Sequence, residues 1–387
     1  MPGRIHRRSR SSWTIVVDLG RDPESGKRRQ LSRAIHGTKK EAEAELVRLL
    51  HERDTGVERP TGHMTVGMYL DRWVDDYVRP SLAPKTLVSY RDVIRAHLVP
   101  ALGSLELTAL RPTHIQSLYT RLLASGRRDG SGGLSARSVQ RYHQILHAAL
   151  RQAVRWQLLV RNPADAVEPP RPARRELRML TAEQARGVMA AADTAPYGGF
   201  VRLALQTGMR RGELLGLRWA DVDFDARELH IQQTAQRISG QGIVFRQPKT
   251  RLSRRSVALS TDAVASLRHI RRQQAEARLL AGPAYHDRDL VFATGLGTPL
   301  EPGNLRRAWL PITRKAGVPG LRIHDLRHAH ATLMLGQGVH PKVVSERLGH
   351  ASIAITLDTY SHVLPGLQAA AAEALDTIFA EVESNIV

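Results

Sequence analysis

Apolar side chains recur at three- and four-residue spacing along most of this chain and alternate in only a few short runs, so the pattern predicts a mainly helical protein with small sheets. Residues 12–19 alternate in part and carry Trp13, Ile15 and Val17; residues 22–26 form a turn, and 27–36 return as a second strand. Ala42, Leu46, Leu49 and Leu50 then make one stripe on a helix over 39–52, with Thr38 as N-cap. The stretch 64–165 reads as all-helical. Val66, Tyr69, Leu70, Trp73 and Tyr77 share a face over 65–78, and Leu87, Tyr90, Val93, Ile94 and Leu98 share one over 84–98. Two more amphipathic helices follow at 113–124 and 135–156, separated by a Gly/Ser-rich loop.

Pro163, Pro169, Pro170 and Pro172 prevent any helix from continuing and predict a semi-extended linker at 166–176. Beyond it, a helix over 181–192 starts with Thr181 and Gln184 at capping-box spacing. Residues 228–234, a turn at 239–242 and residues 243–247 read as a hairpin, with a third strand at 255–259. The expected fold class is multidomain α+β. A small N-terminal β-sheet-plus-helix domain spans 1–60, an all-α domain spans 64–165, and a mixed, mainly α domain with a small antiparallel sheet spans 177–387.

The 387 residues carry 57 Lys and Arg against 37 Asp and Glu, a net charge of +20. The excess is spread: +5 over 1–63, +9 over 64–175 and +6 over 176–387. A folded chain that is basic in every segment points to a polyanion lying along its whole length. The chain has no cysteine, which excludes a disulfide scaffold, a thiolate zinc site, a thiol nucleophile and an iron–sulfur cluster. No uncharged apolar run has the length of a membrane span, so a soluble, cytoplasmic protein is expected.

Three stretches of the last domain set unusual polar residues in apolar frames. In the first, Thr207-Gly208 bends the chain and Arg210 and Glu213 follow at i,i+3, beside Leu214, Leu215 and Leu217. Such pairs are usually surface ion pairs, but this frame argues for a partly buried, oriented guanidinium. In the second, His324, Arg327 and His328 share a helical face. Histidines four apart invite a zinc reading, yet Asp325 stands where the metalloprotease motif needs its general-base Glu, so no metal is expected. In the third, Gly349-His350 ends a helix and Tyr360 follows ten residues later. Lys249, in Pro248-Lys249-Thr250, is placed at a strand edge or loop tip.

Together these residues resemble the tyrosine recombinase family, specifically phage-type integrases. The pattern T-G-x-R-x-x-E-L is met from Thr207 to Leu214, H-x-x-R by His324 to Arg327, and L-G-H by Leu348, Gly349 and His350 with Tyr360 at the expected distance. The hairpin lysine is met by Lys249. The resemblance implies a site-specific DNA recombinase in which Tyr360 attacks a scissile phosphate, giving a 3′-phosphotyrosyl link and a free 5′-hydroxyl. A phenol serves because its oxygen is a tolerable leaving group when the step reverses. Arg210 and Arg327 are implied as a clamp on the non-bridging oxygens, His350 as a further hydrogen-bond donor, His324 as the proton acceptor or relay for Tyr360, and Lys249 as general acid on the leaving oxygen. Glu213 and His328 are supporting residues. No cofactor, ATP or metal is implied.

The same resemblance makes 1–60 an arm-type DNA-binding domain and 64–165 a core-binding domain. Arg28, Arg29 and Arg33 on the strands, and Arg137, Arg141, Arg151 and Arg155 on the last helix of the second domain, are candidate DNA contacts. The expected partners are double-stranded DNA attachment sites, three further copies in a homotetramer on DNA, and a directionality factor or host DNA-bending protein. Leu367, Ala371, Ala374, Leu375, Ile378 and Val382 form a stripe suited to docking on a neighbouring copy. A DNA-relaxing topoisomerase of the tyrosine type would share the chemistry without needing a tetramer.

Overall fold

In the computed structural model the described residues are 3–9, 11–21, 28–54, 63–173, 179–248 and 254–360. Lys249 and the stripe at 367–382 lie outside them. The chain divides into two compact units between Arg174 and Arg175, inside the expected linker.

The first unit opens with an antiparallel sheet of β1 (Gly3–Ser9), β2 (Ser12–Arg21) and β3 (Arg28–His36), in that order. The sequence pattern had given the last two strands. The first is short on large apolar residues, and its place comes from pairing with β2, Ile5 opposite Ile15. Helix α1 (Lys39–Asp54) covers one face, burying Ala42 and Leu49 against Ile15 and Val17.

The helical part then runs through α2 (Val66–Trp73), a π-helical turn (Val74–Val78), α3 (Arg79–Ser81), α4 (Pro84–Val93), a second π turn (Ile94–Leu98), α5 (Val99–Leu102), α6 (Pro112–Ser125) and α7 (Ala136–Arg155). The predicted stripes meet in one core, with Val66, Tyr69, Leu70 and Trp73 from α2 facing Ile145, Leu146, Ala149 and Leu150 from α7. Tyr77 departs from its stripe: it is 39% exposed and stacks its ring on Trp73. The packed chain also reaches past 165, because Val167 is buried in the same core.

The second unit contains α8 (Ala182–Asp193), α9 (Gly198–Thr207), α10 (Arg211–Leu215), β4 (Val222–Asp223), β5 (Glu228–His230), β6 (Thr234–Ile238), β7 (Gly242–Arg246), β8 (Ser256–Ala258), α11 (Thr261–Ala281), α12 (Pro302–Lys315), α13 (Asp325–Gly336), α14 (Pro341–Leu348) and α15 (Ile353–Tyr360). The run predicted as one strand over 228–234 is divided: β5 pairs with β4 and β8, while β6 forms the hairpin with β7. A period-2 pattern does not distinguish one bent strand from two strands in separate sheets. Its large core joins α8, α9, α11 and α12 to the strands. A smaller one packs Ala331 and Leu335 of α13 against Val344 and Leu348 of α14 and Tyr360 at the end of α15.

Candidate active site

Three breaks in helix bring the polar residues together. Helix α9 ends at Gly208, which takes φ +64°; a Cβ there would lie 2.5 Å from the His330 ring, so this position needs glycine for both conformation and space. Helix α10 starts immediately after Arg210, and Glu213 in its first turn accepts the Arg210 backbone N–H at 2.9 Å. Helix α14 ends at Gly349, φ +67°, which turns the chain into His350.

The end of α9 is held by side chains from distant segments. Arg327 Nη1 donates to the Gly208 carbonyl at 2.9 Å, His330 Nδ1 to that of Leu205 at 2.8 Å, and Arg347 Nη2 to that of Gln206 at 3.1 Å. Carbonyls left over at a helix C-terminus carry partial negative charge, so cationic donors suit them. The same contacts fix Arg327, 4% exposed, within the charge neighbourhood of Arg210, Arg255 and Tyr360.

Glu213, 2% exposed, is the buried counter-charge of this cluster. Its Oε1 accepts Arg210 Nη1 at 2.8 Å and Arg255 Nη1 at 3.2 Å; its Oε2 accepts Arg255 Nη2 at 3.0 Å. Burial acts to raise the Glu213 carboxyl, but Arg255 and Arg210 outweigh it and hold the group below its ordinary value. Burial first, then Arg210, pushes Arg327 down to about 9, still charged at neutral pH. Three guanidinium groups thus face one carboxylate, and the excess of positive charge, with Arg210 39% exposed, is a site for an anion.

Beside it lies the phenol. Tyr360 is 1% exposed, and burial pushes its hydroxyl up to about 12, against the opposing pull of Arg327. Its hydroxyl bonds to His328 Nδ1 at 2.7 Å. The expected partner was His324. The hydrogen-bond partner of the hydroxyl is His328, and His324 is one step removed, edge-on to the His328 ring at 5.5 Å between centroids. Both histidines are lowered, His328 by burial and then His324, His324 by burial and then Arg327. Neutral at pH 7, His328 can accept a hydrogen bond from the phenol in the tautomer that carries hydrogen on Nε2.

Burial, then Arg327 and Arg210, pushes His350 down to about 4. Its Nδ1 bonds to the fully buried Thr356 hydroxyl at 2.8 Å. When that hydroxyl donates, Nε2 of the neutral ring keeps a hydrogen to offer outward. Arg255, Arg347, His330 and Thr356 were not singled out from the sequence. Arg255, Arg347 and His330 meet partners far along the chain, and Thr356 is an ordinary helix residue six positions from His350; the buried setting of LRIHDLRHAHATLML was the available signal for His330.

Among the DNA-contact candidates, Arg137, Arg141, Arg151 and Arg155 are all exposed on α7. At roughly 100° per residue they fall within about an 80° arc, one face of the helix. Arg33 is committed in part to Glu45 on α1, at 2.8 Å. Arg28 and Arg29 lie on β3, with side chains outside those described. Among the described residues, no three His, Asp or Glu side chains are grouped to hold a metal ion, and no helix is long and apolar enough to cross a membrane.

Comparison with known proteins gives this arrangement its class. Residues 178–366 match the Phage integrase family and residues 65–123 match the Phage integrase N-terminal SAM-like domain. A tyrosine recombinase XerC-like protein of Caldanaerobacter subterraneus is 30% identical, over 95% of this chain and 96% of the relative. The ICEBs1 integrase of Bacillus subtilis is 26% identical over 97% and 99% of the two chains. In fold, the chain is similar to a Tn1549 transposon integrase solved in complex with a circular intermediate DNA (TM-score 0.66, 19% identity, 81% of this chain and 99% of that one). It is also similar to lambda integrase solved as a tetramer bound to a Holliday junction (TM-score 0.55, 20% identity, 93% and 95%). The chain belongs to the phage integrase family of tyrosine recombinases. Its activity is site-specific DNA recombination.

Proposed function

We propose that Tyr360 is the nucleophile and that Arg210 and Arg327 form the clamp on the scissile phosphate. What carries this reading is the buried phenol of Tyr360 lying in the charge neighbourhood of guanidinium groups that outnumber their one carboxylate. Attack by the Tyr360 oxygen forms a tyrosyl–phosphorus bond and breaks the bond to the 5′-oxygen, leaving a 3′-phosphotyrosyl link. The phenolic proton passes to His328, with His324 beside it as a relay. Lys249 protonates the departing 5′-oxygen. The arginines and the outward nitrogen of His350 stabilise the charge that grows on the non-bridging oxygens. Attack by the 5′-hydroxyl of a second duplex reverses the bonding and exchanges strands, conserving the ester energy.

The mobile element that encodes the chain supplies the substrate, its attachment sites in double-stranded DNA. Two duplexes cut on four strands call for four copies, hence a homotetramer, and the choice between integration and excision calls for a directionality factor or DNA-bending protein. The domain over 1–60 takes the arm sites and that over 64–165 the core site, where the four arginines on one face of α7 meet phosphates. The two-part DNA-binding front end favours recombination over plain DNA relaxation.

The test is chemical. Arg210→Ala and Arg327→Ala should each slow cleavage by about 10²–10³-fold, the cost of losing one oxyanion donor. A duplex whose scissile phosphate has one non-bridging oxygen replaced by methyl, and so carries no charge, should recover cleavage by each variant. Equal cleavage of the ordinary duplex by wild type and both variants would remove the clamp.

A further inference from the structure

We propose that Arg255 is a positioning residue of this site: it locks Glu213 and the turn at 347–350 into one unit and so sets where Arg210 and His350 point. The inference rests on the clamp reading above. Arg255 immediately precedes β8 and is 7% exposed. Nη1 and Nη2 donate to the two oxygens of Glu213 at 3.2 and 3.0 Å, and Nε donates to the Arg347 carbonyl at 2.6 Å. Arg210 closes the circuit. It donates from Nη1 to Glu213 and from Nη2 to the Gly349 carbonyl at 3.0 Å. Three segments far apart in sequence, 210–213, 255 and 347–349, are thereby tied in one ring of bonds.

All three Arg255 nitrogens already donate to protein acceptors, whereas the Arg210 guanidinium is more than a third exposed. Arg255 therefore acts through its neighbours. A lysine could supply the charge but not two parallel bonds and a third in the fixed plane of a guanidinium. Gly349 completes the fit. A Cβ added there would lie 2.8 Å from Arg255 Nη1, so this glycine leaves room for the guanidinium as well as taking a left-handed turn.

The test uses the full chain and a nicked duplex carrying the element's own circular junction, with covalent complex formation and equilibrium DNA binding measured on the same DNA. Arg255→Ala and Arg255→Lys should keep DNA affinity within about twofold and slow covalent capture by about 10–100-fold, the scale of a misplaced reacting group. Gly349→Ala, which leaves every charge in place, should slow capture in the same way. In Arg255→Lys the His350 ring should keep its low titration, since the cation remains; in Arg255→Ala it should titrate higher. Wild-type capture by folded Arg255 variants would overturn the proposal, as would a parallel fall in DNA binding and capture, which marks a merely structural role. If Arg255→Ala does not fold, Arg255→Lys and Gly349→Ala decide the matter. Failure of the clamp reading is separate: Arg210→Ala and Arg327→Ala would then capture DNA as fast as wild type.

Discussion

Replacing Glu213 by Gln should destabilise the catalytic unit by about 3 kcal/mol. The carboxylate accepts four N–H groups, three of them from guanidinium nitrogens, at 2.8–3.2 Å. Glutamine has the same shape but keeps one acceptor oxygen and turns an N–H₂ toward Arg210 or Arg255. Breaking a buried ion pair from one side costs about 3–5 kcal/mol, because the remaining charge stays buried without its partner. The Arg255 side of the pair, at 7% exposure, is charged that cost in full, whereas solvent screens the Arg210 side. The lower end of the range follows. Hydrogen exchange on the full chain reads it directly, since amides of α9 and α13 exchange by opening of this unit; about 3 kcal/mol is roughly a hundredfold in exchange rate. Inorganic phosphate should recover part of the loss, and should protect the variant more than wild type, since the variant site has one more uncompensated positive charge. Exchange within about twofold of wild type, or no response to phosphate, would refute the view of Glu213 as the buried counter-charge of an anion site.

Acid should weaken the catalytic unit well before its carboxylates titrate. His330 and His350 are held down at about 4, so between pH 6.5 and 4 the unfolded chain binds protons that the folded chain refuses. Stability therefore falls with pH through that window, by on the order of 3 kcal/mol for the buried His330 alone; His330→Gln should flatten the dependence, and an unchanged slope would contradict it. His328→Ala should slow covalent capture by about a hundredfold and be rescued in part by free imidazole; a wild-type rate would return the proton-acceptor role to His324. Lys249→Ala should cleave an ordinary duplex poorly and recover on one whose leaving 5′-oxygen is sulfur, because a thiolate leaves without a proton. No recovery would remove Lys249 as general acid.

Local signals carried the helices of 64–165, where stripes such as Val66-Tyr69-Leu70-Trp73 repeat at helical period, and the cap at Thr181, which accepts a backbone N–H. The motif residues Arg210, Glu213, His324, Arg327, His350 and Tyr360 were also legible, because their spacing is tied to helix ends marked by Gly208 and Gly349. What the sequence left hidden depends on contact between segments remote in the chain. Strand β1 has too few apolar residues to announce itself and is defined by its partner β2. The division of 228–234 between two sheets is decided by which strand each half meets. Arg255 and Arg347 read as solvated cations until Glu213 and the last carbonyls of α9 come within reach. Which of His324 and His328 meets the phenol is a matter of one helical turn, and the placement of α15 decides it for His328.

The central claim is that the Tyr360 oxygen becomes joined to DNA phosphorus. Incubating the full chain with nicked junction duplex, denaturing, digesting with protease and sequencing the nucleotide-bearing peptide by mass spectrometry tests it most directly. The adduct should map to Tyr360, with Tyr360→Phe binding the duplex at wild-type affinity and giving none. An adduct on any other residue, or one that persists in Tyr360→Phe, would contradict it.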